Sequence, residues 1–298
     1  MNFADRLCAA VDRCGTPAVL GLDPRPEHLP APWRRRPGEA GAGEIAECIR
    51  AWQMRLLELA APRLPMVKPQ AAFYERWGPP GMEALAEACA RARELGMLVL
   101  LDGKRGDIGS TAAAYADAWL RGDGFPAADA LTVNPYLGED ACRPFLDRAR
   151  ECGAGLFFLV KTSNPGAGLF QDHGEPPLAE AVACAVHRWG EELQGESGWS
   201  GAGAVIGATR PGELARFREL LPRALLLLPG FGFQGGTAEG LAPAFDARGH
   251  GAVVPASRSL LHAHEREDLA GRGWEEAFLA AVEEMVAALR TVCPLPSS

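Results

Sequence analysis

Eight short, nearly continuous apolar runs alternate with longer amphipathic stretches along the chain. The runs are PAVLGLD (17–23), PMVKP (65–69), MLVLLDGK (97–104), ALTVNP (130–135), GLFFLVKTS (155–163), GAVIGAT (203–209), ALLLLPG (224–230) and GAVVPAS (251–257). Runs without polar alternation suit strands buried on both faces, as in a parallel sheet. Between them, GEIAECIRAWQMRLLELA, MEALAEACARAREL, TAAAYADAWL, PLAEAVACAVHRWGEEL, PGELARFRELL and WEEAFLAAVEEMVAALR carry apolar residues at helical spacing. Residues 2–14 predict an extra helix ahead of the first strand. Eight strand–helix units in 298 residues predict an α/β fold of the (β/α)8 barrel type, with a doubly wound open sheet as the alternative. The Pro-, Gly- and Arg-rich stretch 30–43 reads as a solvated loop, and the tail CPLPSS as frayed. No composition shift divides the chain, so residues 1–298 read as a single domain.

In such a barrel the chemistry gathers at the C-terminal strand ends. Those ends carry Asp23, Lys68, Asp102 with Lys104, Asn134, Lys161 with Ser163, Thr209, Gly230, and Ser257 with Arg258. Asp102 and Lys104 are two apart and share a strand face, while Gly103 between them points towards the helices. Lys68 ends the neighbouring strand, and Asp107 lies just beyond the strand end, where the next helix starts. The pattern predicts an alternating lysine–aspartate array, in which each charge has an opposite neighbour. Flanking carboxylates favour the protonated form of Lys104, which makes it a ready proton donor. A second cluster follows in PGFGFQGGTAEG (229–240) and VVPASRSLL (253–261). A Gly-rich loop after strand seven and Ser257-Arg258 after strand eight predict a phosphate site, with Arg258 able to make a bidentate contact. The residues thus point to a phosphorylated small molecule beside a proton-transfer array.

Composition narrows the partners. A net charge of −8 and a pI near 5.4 argue against a nucleic-acid surface or an anionic membrane. No apolar run reaches the roughly 18 residues of a membrane span, and MNFADRLCAAVDRCG lacks the basic and apolar regions of a signal peptide. Eight cysteines without C-x-x-C or His/Cys spacing suit reduced thiols in a cytoplasm. No Gly-x-Gly-x-x-Gly follows the first strand, and no His cluster offers a transition-metal site. Of 30 basic residues only Lys68, Lys104 and Lys161 are lysines, each near the end of an apolar run. Lysine is a compact ammonium that can give up a proton, whereas arginine cannot readily do so.

LDGKRGDIGST resembles the Asp-x-Lys-x-x-Asp motif of the orotidine 5′-phosphate decarboxylases, and the chain as a whole is similar to their longer bacterial, type 2, form. GLDPRPEHLP, VKPQAAFYERWG, LLDGKRGDIGSTAAAYA, TVNPYLG, VKTSNPGA, PGFGFQGG and ASRSLL carry the resemblance in order across residues 20–261. It implies a homodimeric barrel that decarboxylates orotidine 5′-phosphate to uridine 5′-phosphate without metal or organic cofactor. It implies Lys104 as proton donor to C6, Asp102 against the scissile carboxylate, and Lys68 and Asp107 completing the array. Asp107 and Thr111 then come from the partner subunit. Asp23 is implied at the ribose, Ser163 at the pyrimidine, and Gln234 and Arg258 at the phosphate. Phe231 and Phe233 are bulkier than the family pattern has at the closing loop. Lys161 is expected to point into the barrel and pair with an acid. Two rival readings stand beside this one. A sugar-phosphate lyase with the same motif would use magnesium and an acid where Lys68 stands, and Lys68 would repel the metal. A silent phosphate-ligand-binding barrel would leave a costly charged array unused.

Overall fold

Each of the eight apolar runs forms a strand in the computed structural model: β1 Ala18–Leu22, β2 Met66–Pro69, β3 Leu98–Arg105, β4 Ala130–Val133, β5 Gly155–Lys161, β6 Ser200–Ile206, β7 Ala224–Leu227 and β8 Ala252–Ala256. The structure describes residues 1–36, 38–120, 126–207, 211–230 and 238–293. All neighbours pair in parallel and in sequence order, and β8 pairs back onto β1 through Ala18↔Val254 and Val19↔Pro255. That last pairing closes the sheet into a barrel and rules out the open sheet.

Closure explains why the strands are apolar throughout. Val19, Met66, Leu100, Ala130, Phe157, Val205, Leu225 and Val253 pack together inside the barrel. Their neighbours in sequence, such as Leu20, Val67, Leu101, Leu131, Phe158, Ala204, Leu226 and Val254, pack outward beneath the helices. Both faces of each strand are therefore desolvated.

The extra N-terminal helix, Phe3–Cys14, plugs the bottom of the barrel. Asn2 caps it by accepting from Ala4 N–H at 2.7 Å, and Gly15 ends it at φ 62°. Its Phe3, Leu7 and Val11 belong to the inner core, with the Phe3 ring edge-on to Phe157 at 6.1 Å. Gly155, which begins β5, leaves the space this ring needs: a Cβ there would sit 2.2 Å from it.

Four features differ from the sequence pattern. A helix over Glu139–Cys152, absent from the predicted segments, buries Ala141, Cys142, Phe145, Leu146 and Ala149 on one face. After β7 the described residues form a 3-10 turn, Glu239–Ala244, and no α-helix. The stretch 30–43 is not wholly solvated, because Trp33 packs edge-on to Trp274 at 5.6 Å. Cys293 is buried, with its thiol donating to Gly249 O at 3.2 Å, so the tail is held at its first residue.

The plug makes a testable claim on stability. Phe3→Ala should cost roughly 3–5 kcal/mol by opening a cavity under the barrel floor, read as a lowered urea midpoint. A cost below about 1 kcal/mol would place the helix outside the cooperative core.

Candidate active site

The apolar inner face stops at the C-terminal strand ends, and charge begins there. Lys68 Nζ lies 2.8 Å from Asp102 Oδ2, and Lys104 Nζ lies 2.5 Å from Oδ1. Lys68 and Asp102 are each only 7% exposed, whereas the Lys104 side chain is 45% exposed and can reach a ligand. Burial by itself works to raise the Asp102 pKa, but the two ammonium groups outweigh it and hold the carboxyl below the usual range. Burial likewise works against charge on Lys68, yet Asp102, and then Asp23, raise its pKa. Both groups are therefore ionised at neutral pH, each as the other's counter-charge.

Strand alternation predicts that Asp102 and Lys104 meet, and they do, but not through a regular pleat. Leu101 pairs with Leu131 and Arg105 with Val133, so four steps along β3 match two along β4. The irregularity carries Lys104 at φ 47°, the only positive φ of a non-glycine among the described residues. A left-handed backbone at such a residue costs about 1–3 kcal/mol and persists only where surrounding contacts impose it. Here Thr132 imposes it. Its hydroxyl accepts from Lys104 N–H at 2.9 Å and donates to Asp102 Oδ1 at 3.0 Å. Thr132 is buried on the inner face of β4, two residues after Ala130. The one signal for it in the sequence is a polar residue at an inward position of ALTVNP.

The other expected residues divide clearly. Asp23, Ser257 and Arg258 line a hollow of about 230 Å³ together with Lys68 and Asp102. Thr132, Ser163 and Lys104 line a second, of about 270 Å³, above Leu159, Val205 and Leu227. Lys68, Asp102 and Pro229 border both, so the two adjoin over the charged array. Gly21 makes room for Ser257 across the β1–β8 seam, since a Cβ there would lie 2.0 Å from its hydroxyl. Asp23 Oδ1 is buried and has no hydrogen-bond partner among the described residues. Arg258 opens a single helical turn, Arg258–Leu261.

Asp107 is not brought to the array. Its Oδ1 accepts from Ile108 N–H at 2.8 Å, and it makes no ion pair with another described residue. Thr111 is exposed on the helix Gly109–Leu120. Arg105 turns outward, bonding Glu75 and lying over the Tyr115 and Trp119 rings at 5.7 and 5.1 Å. Lys161 is buried and paired with Asp172. Gln234, Thr209, Phe231 and Phe233 lie outside the described residues. One grouping runs against the expectation that no His cluster exists: the side-chain donors of His28, His262 and Glu265 fall within 4.8 Å of one another.

A charged Lys–Asp–Lys array at the mouth of a closed barrel, beside hollows lined by Ser257 and Arg258, is the arrangement that the Asp-x-Lys-x-x-Asp resemblance requires. The profile of the orotidine 5′-phosphate decarboxylase / HUMPS family matches residues 16–271. The chain belongs to this family. Within it, the orotidine 5′-phosphate decarboxylase of Deinococcus radiodurans is 50% identical over 277 residues, covering 92% of this chain and 93% of its own. That of Rhodopirellula baltica is 43% identical over 296 residues, covering 96% and 98%. The structure of Leishmania donovani OMP decarboxylase superposes with a TM-score of 0.76 at 30% identity, over 99% of this chain and 100% of that one. These relatives are decarboxylases by name, which separates the chain from the sugar-phosphate members that share the family profile.

Thr132 is testable as a positioning residue of this decarboxylase-family site. Thr132→Val leaves Lys104 N–H and Asp102 Oδ1 a partner short, worth roughly 1–3 kcal/mol, so kcat should fall about 10- to 100-fold with KM little changed. Thr132→Ser, which keeps the hydroxyl, should recover most of the loss. Full activity in Thr132→Val would show that the array holds without it.

Proposed function

We propose that Lys104 delivers a proton to C6 of the pyrimidine as carbon dioxide leaves orotidine 5′-phosphate. The reaction itself, conversion of orotidine 5′-phosphate to uridine 5′-phosphate and carbon dioxide in pyrimidine nucleotide biosynthesis, follows from the family and from its decarboxylase members. The observation that carries the assignment to Lys104 is its ammonium, half-exposed to the hollow and 2.5 Å from a buried Asp102.

Loss of carbon dioxide leaves an electron pair on C6 in the plane of the ring, where the ring cannot delocalise it. An ammonium already fixed at that point stabilises the charge as it develops, with no reorganisation of solvent. Lys104 then transfers its proton to C6, and the neutral amine regains one from solvent. Asp102 stands against the departing carboxylate, and Lys68 keeps Asp102 ionised and in place. Ser163 contacts the pyrimidine from the same hollow. The orphaned Oδ1 of Asp23 accepts from a ribose hydroxyl. Ser257 and Arg258 hold the phosphate, joined by Gln234, which follows β7 in the chain. Phosphate binding, remote from C6, supplies energy that orients the base.

In the same reading the enzyme is a cytoplasmic homodimer, with residues 1–298 of each subunit acting as one domain. It needs no metal or organic cofactor for the reaction, and it engages neither nucleic acid nor membrane. Each active site is shared. Asp107, which meets no lysine of its own chain, completes the Lys68–Asp102–Lys104 array of the partner, and Thr111 accompanies it. The loops after β3, β4 and β5 support this by exposing Ile108, Tyr136, Leu137, Leu169 and Phe170. Exposed apolar residues on three successive connections beside an incomplete site are what a second copy would cover. The negative net charge weighs against nucleic acid, and no described helix is long and apolar enough to cross a membrane.

Two experiments test the reading. Lys104→Ala should lower turnover by more than about 10³-fold, followed as loss of orotidine 5′-phosphate absorbance with a chelator present. It should still bind uridine 5′-phosphate, whose phosphate contacts are remote. Wild-type-like turnover would remove Lys104 as the donor. For the shared site, inactive Lys104→Ala is mixed with inactive Asp107→Ala under conditions of subunit exchange. A mixed dimer then has one site with both lesions and one with neither, so up to about half of its sites should recover. No recovery, with exchange verified by mass, would return Asp107 to its own subunit.

A further inference from the structure

Three of the six histidines gather on one side of the barrel mouth, away from the Lys–Asp–Lys array. His28 ends the 3-10 turn Pro26–His28 that follows β1. His262 follows the turn Arg258–Leu261 after β8, and His264 and Glu265 sit in the next turn, Ala263–Glu265. The β1–β8 seam that closes the barrel is what brings these two segments together. The His28 and His262 rings stack at 4.5 Å with 20° between their planes. His28 Nδ1 lies 3.0 Å from Glu265 Oε2.

Two details set this group apart from an ordinary hydrogen-bonded cluster. His262 makes no side-chain hydrogen bond to another described residue, although a ligand nitrogen lies within 4.8 Å of both His28 and Glu265. His264 Nε2 is buried without a hydrogen-bond partner among the described residues, 4.0 Å from Glu265 Oε1. Stacked, partly buried imidazoles around one carboxylate, with nitrogens of His262 and His264 unpartnered among the described residues, offer a donor set that one cation could use.

We infer that His28, His262 and Glu265 form a Zn²⁺ site that ties the segment after β1 to the segment after β8. Two imidazole nitrogens and one carboxylate oxygen suit Zn²⁺ among the abundant divalent ions, and water fills the fourth position. His264 Nε2, 4.0 Å from Glu265 Oε1, is near enough to bond to that water. Donors on one tetrahedral Zn²⁺ lie about 3.3–3.5 Å apart, so binding turns the His28 and His262 rings out of their stack until both in-plane lone pairs meet the ion. Arg34 competes, since its Nη2 is 3.6 Å from Glu265 Oε1. It loses that contact when the metal binds. The role is structural. The clamp restrains the chain that leads from Ser257 and Arg258, and no step of the decarboxylation passes through it.

The test uses tag-free protein, stripped with a chelator and exchanged into metal-free buffer, then titrated with ZnCl₂ by calorimetry. One saturable Zn²⁺ per chain is expected, with a rise in the thermal midpoint. His28→Ala, His262→Ala and Glu265→Gln should each weaken binding by about tenfold or more and abolish the thermal rise, whereas His173→Ala should change neither. Circular dichroism of the metal-free variants identifies any that fail to fold. Glu265→Gln, which keeps size and shape, is the decisive variant if an alanine variant does fail. Co²⁺ in place of Zn²⁺ should give the intense visible bands of a four-coordinate site. Absence of saturable binding, or binding unchanged in His262→Ala and Glu265→Gln, overturns the site.

Discussion

Asp102 is a carboxylate with almost no access to water, and its two oxygens are taken up by two ammonium groups and one hydroxyl. An isolated charge in that position would be expensive to desolvate. Removing one partner of a buried pair costs about 3–5 kcal/mol, because the remaining charge has nowhere to go. Lys68, Asp102, Lys104 and Thr132 are thus mutually dependent. The buried charges of Lys68 and Asp102 are tolerable at the barrel mouth only because each has the other, with Lys104 and Thr132 completing the partners of Asp102. The same dependence fixes their positions before any ligand arrives, which is what electrostatic catalysis requires.

The barrel beneath supplies the low-polarity surroundings. Leu159, Val205 and Leu227 form the floor under Lys104 and Thr132, and the N-terminal helix seals the opposite end with Phe3. Lys104 is held in a left-handed backbone at an irregularity between β3 and β4. A regular strand would carry its amide into the ladder. Instead that amide bonds to Thr132, so one hydroxyl couples the strained backbone to the buried carboxylate. Strain at this point is offset by the packing of the whole sheet and is concentrated where a side chain must be aimed.

Barrel closure has a second consequence. The β1–β8 seam places Gly21 against Ser257 and so shapes the hollow that holds Asp23 and Arg258. It also draws together two loops that are more than two hundred residues apart in the chain, and with them His28, His262 and Glu265. The proposed chemical site and the proposed metal clamp therefore depend on one pairing of edge strands.

Two-faced burial wrote the eight strands into the sequence as unbroken apolar runs, because a strand inside a helix-covered barrel has no wet face. The strand ends were equally legible. A lysine or aspartate that ends such a run has only the barrel mouth to occupy, so Lys68, Asp102, Lys104, Asp23, Ser257 and Arg258 could be placed by position alone. The helix Glu139–Cys152 is also written in the sequence, with Ala141, Cys142, Phe145, Leu146 and Ala149 at helical spacing, although it is not among the predicted segments. Thr132 looks like any inward residue of a short strand until the irregularity in β3 turns the Lys104 amide towards it. Trp33 and Cys293 read as loop and tail until Trp274 and Gly249 cover them. His262 and His264 are neighbours in sequence, but His28 joins them only when the sheet closes. Periodicity and strand ends are properties of neighbouring residues, which the chain carries locally. Meetings across the barrel depend on closure and register, and those are settled only when all eight strands pack at once.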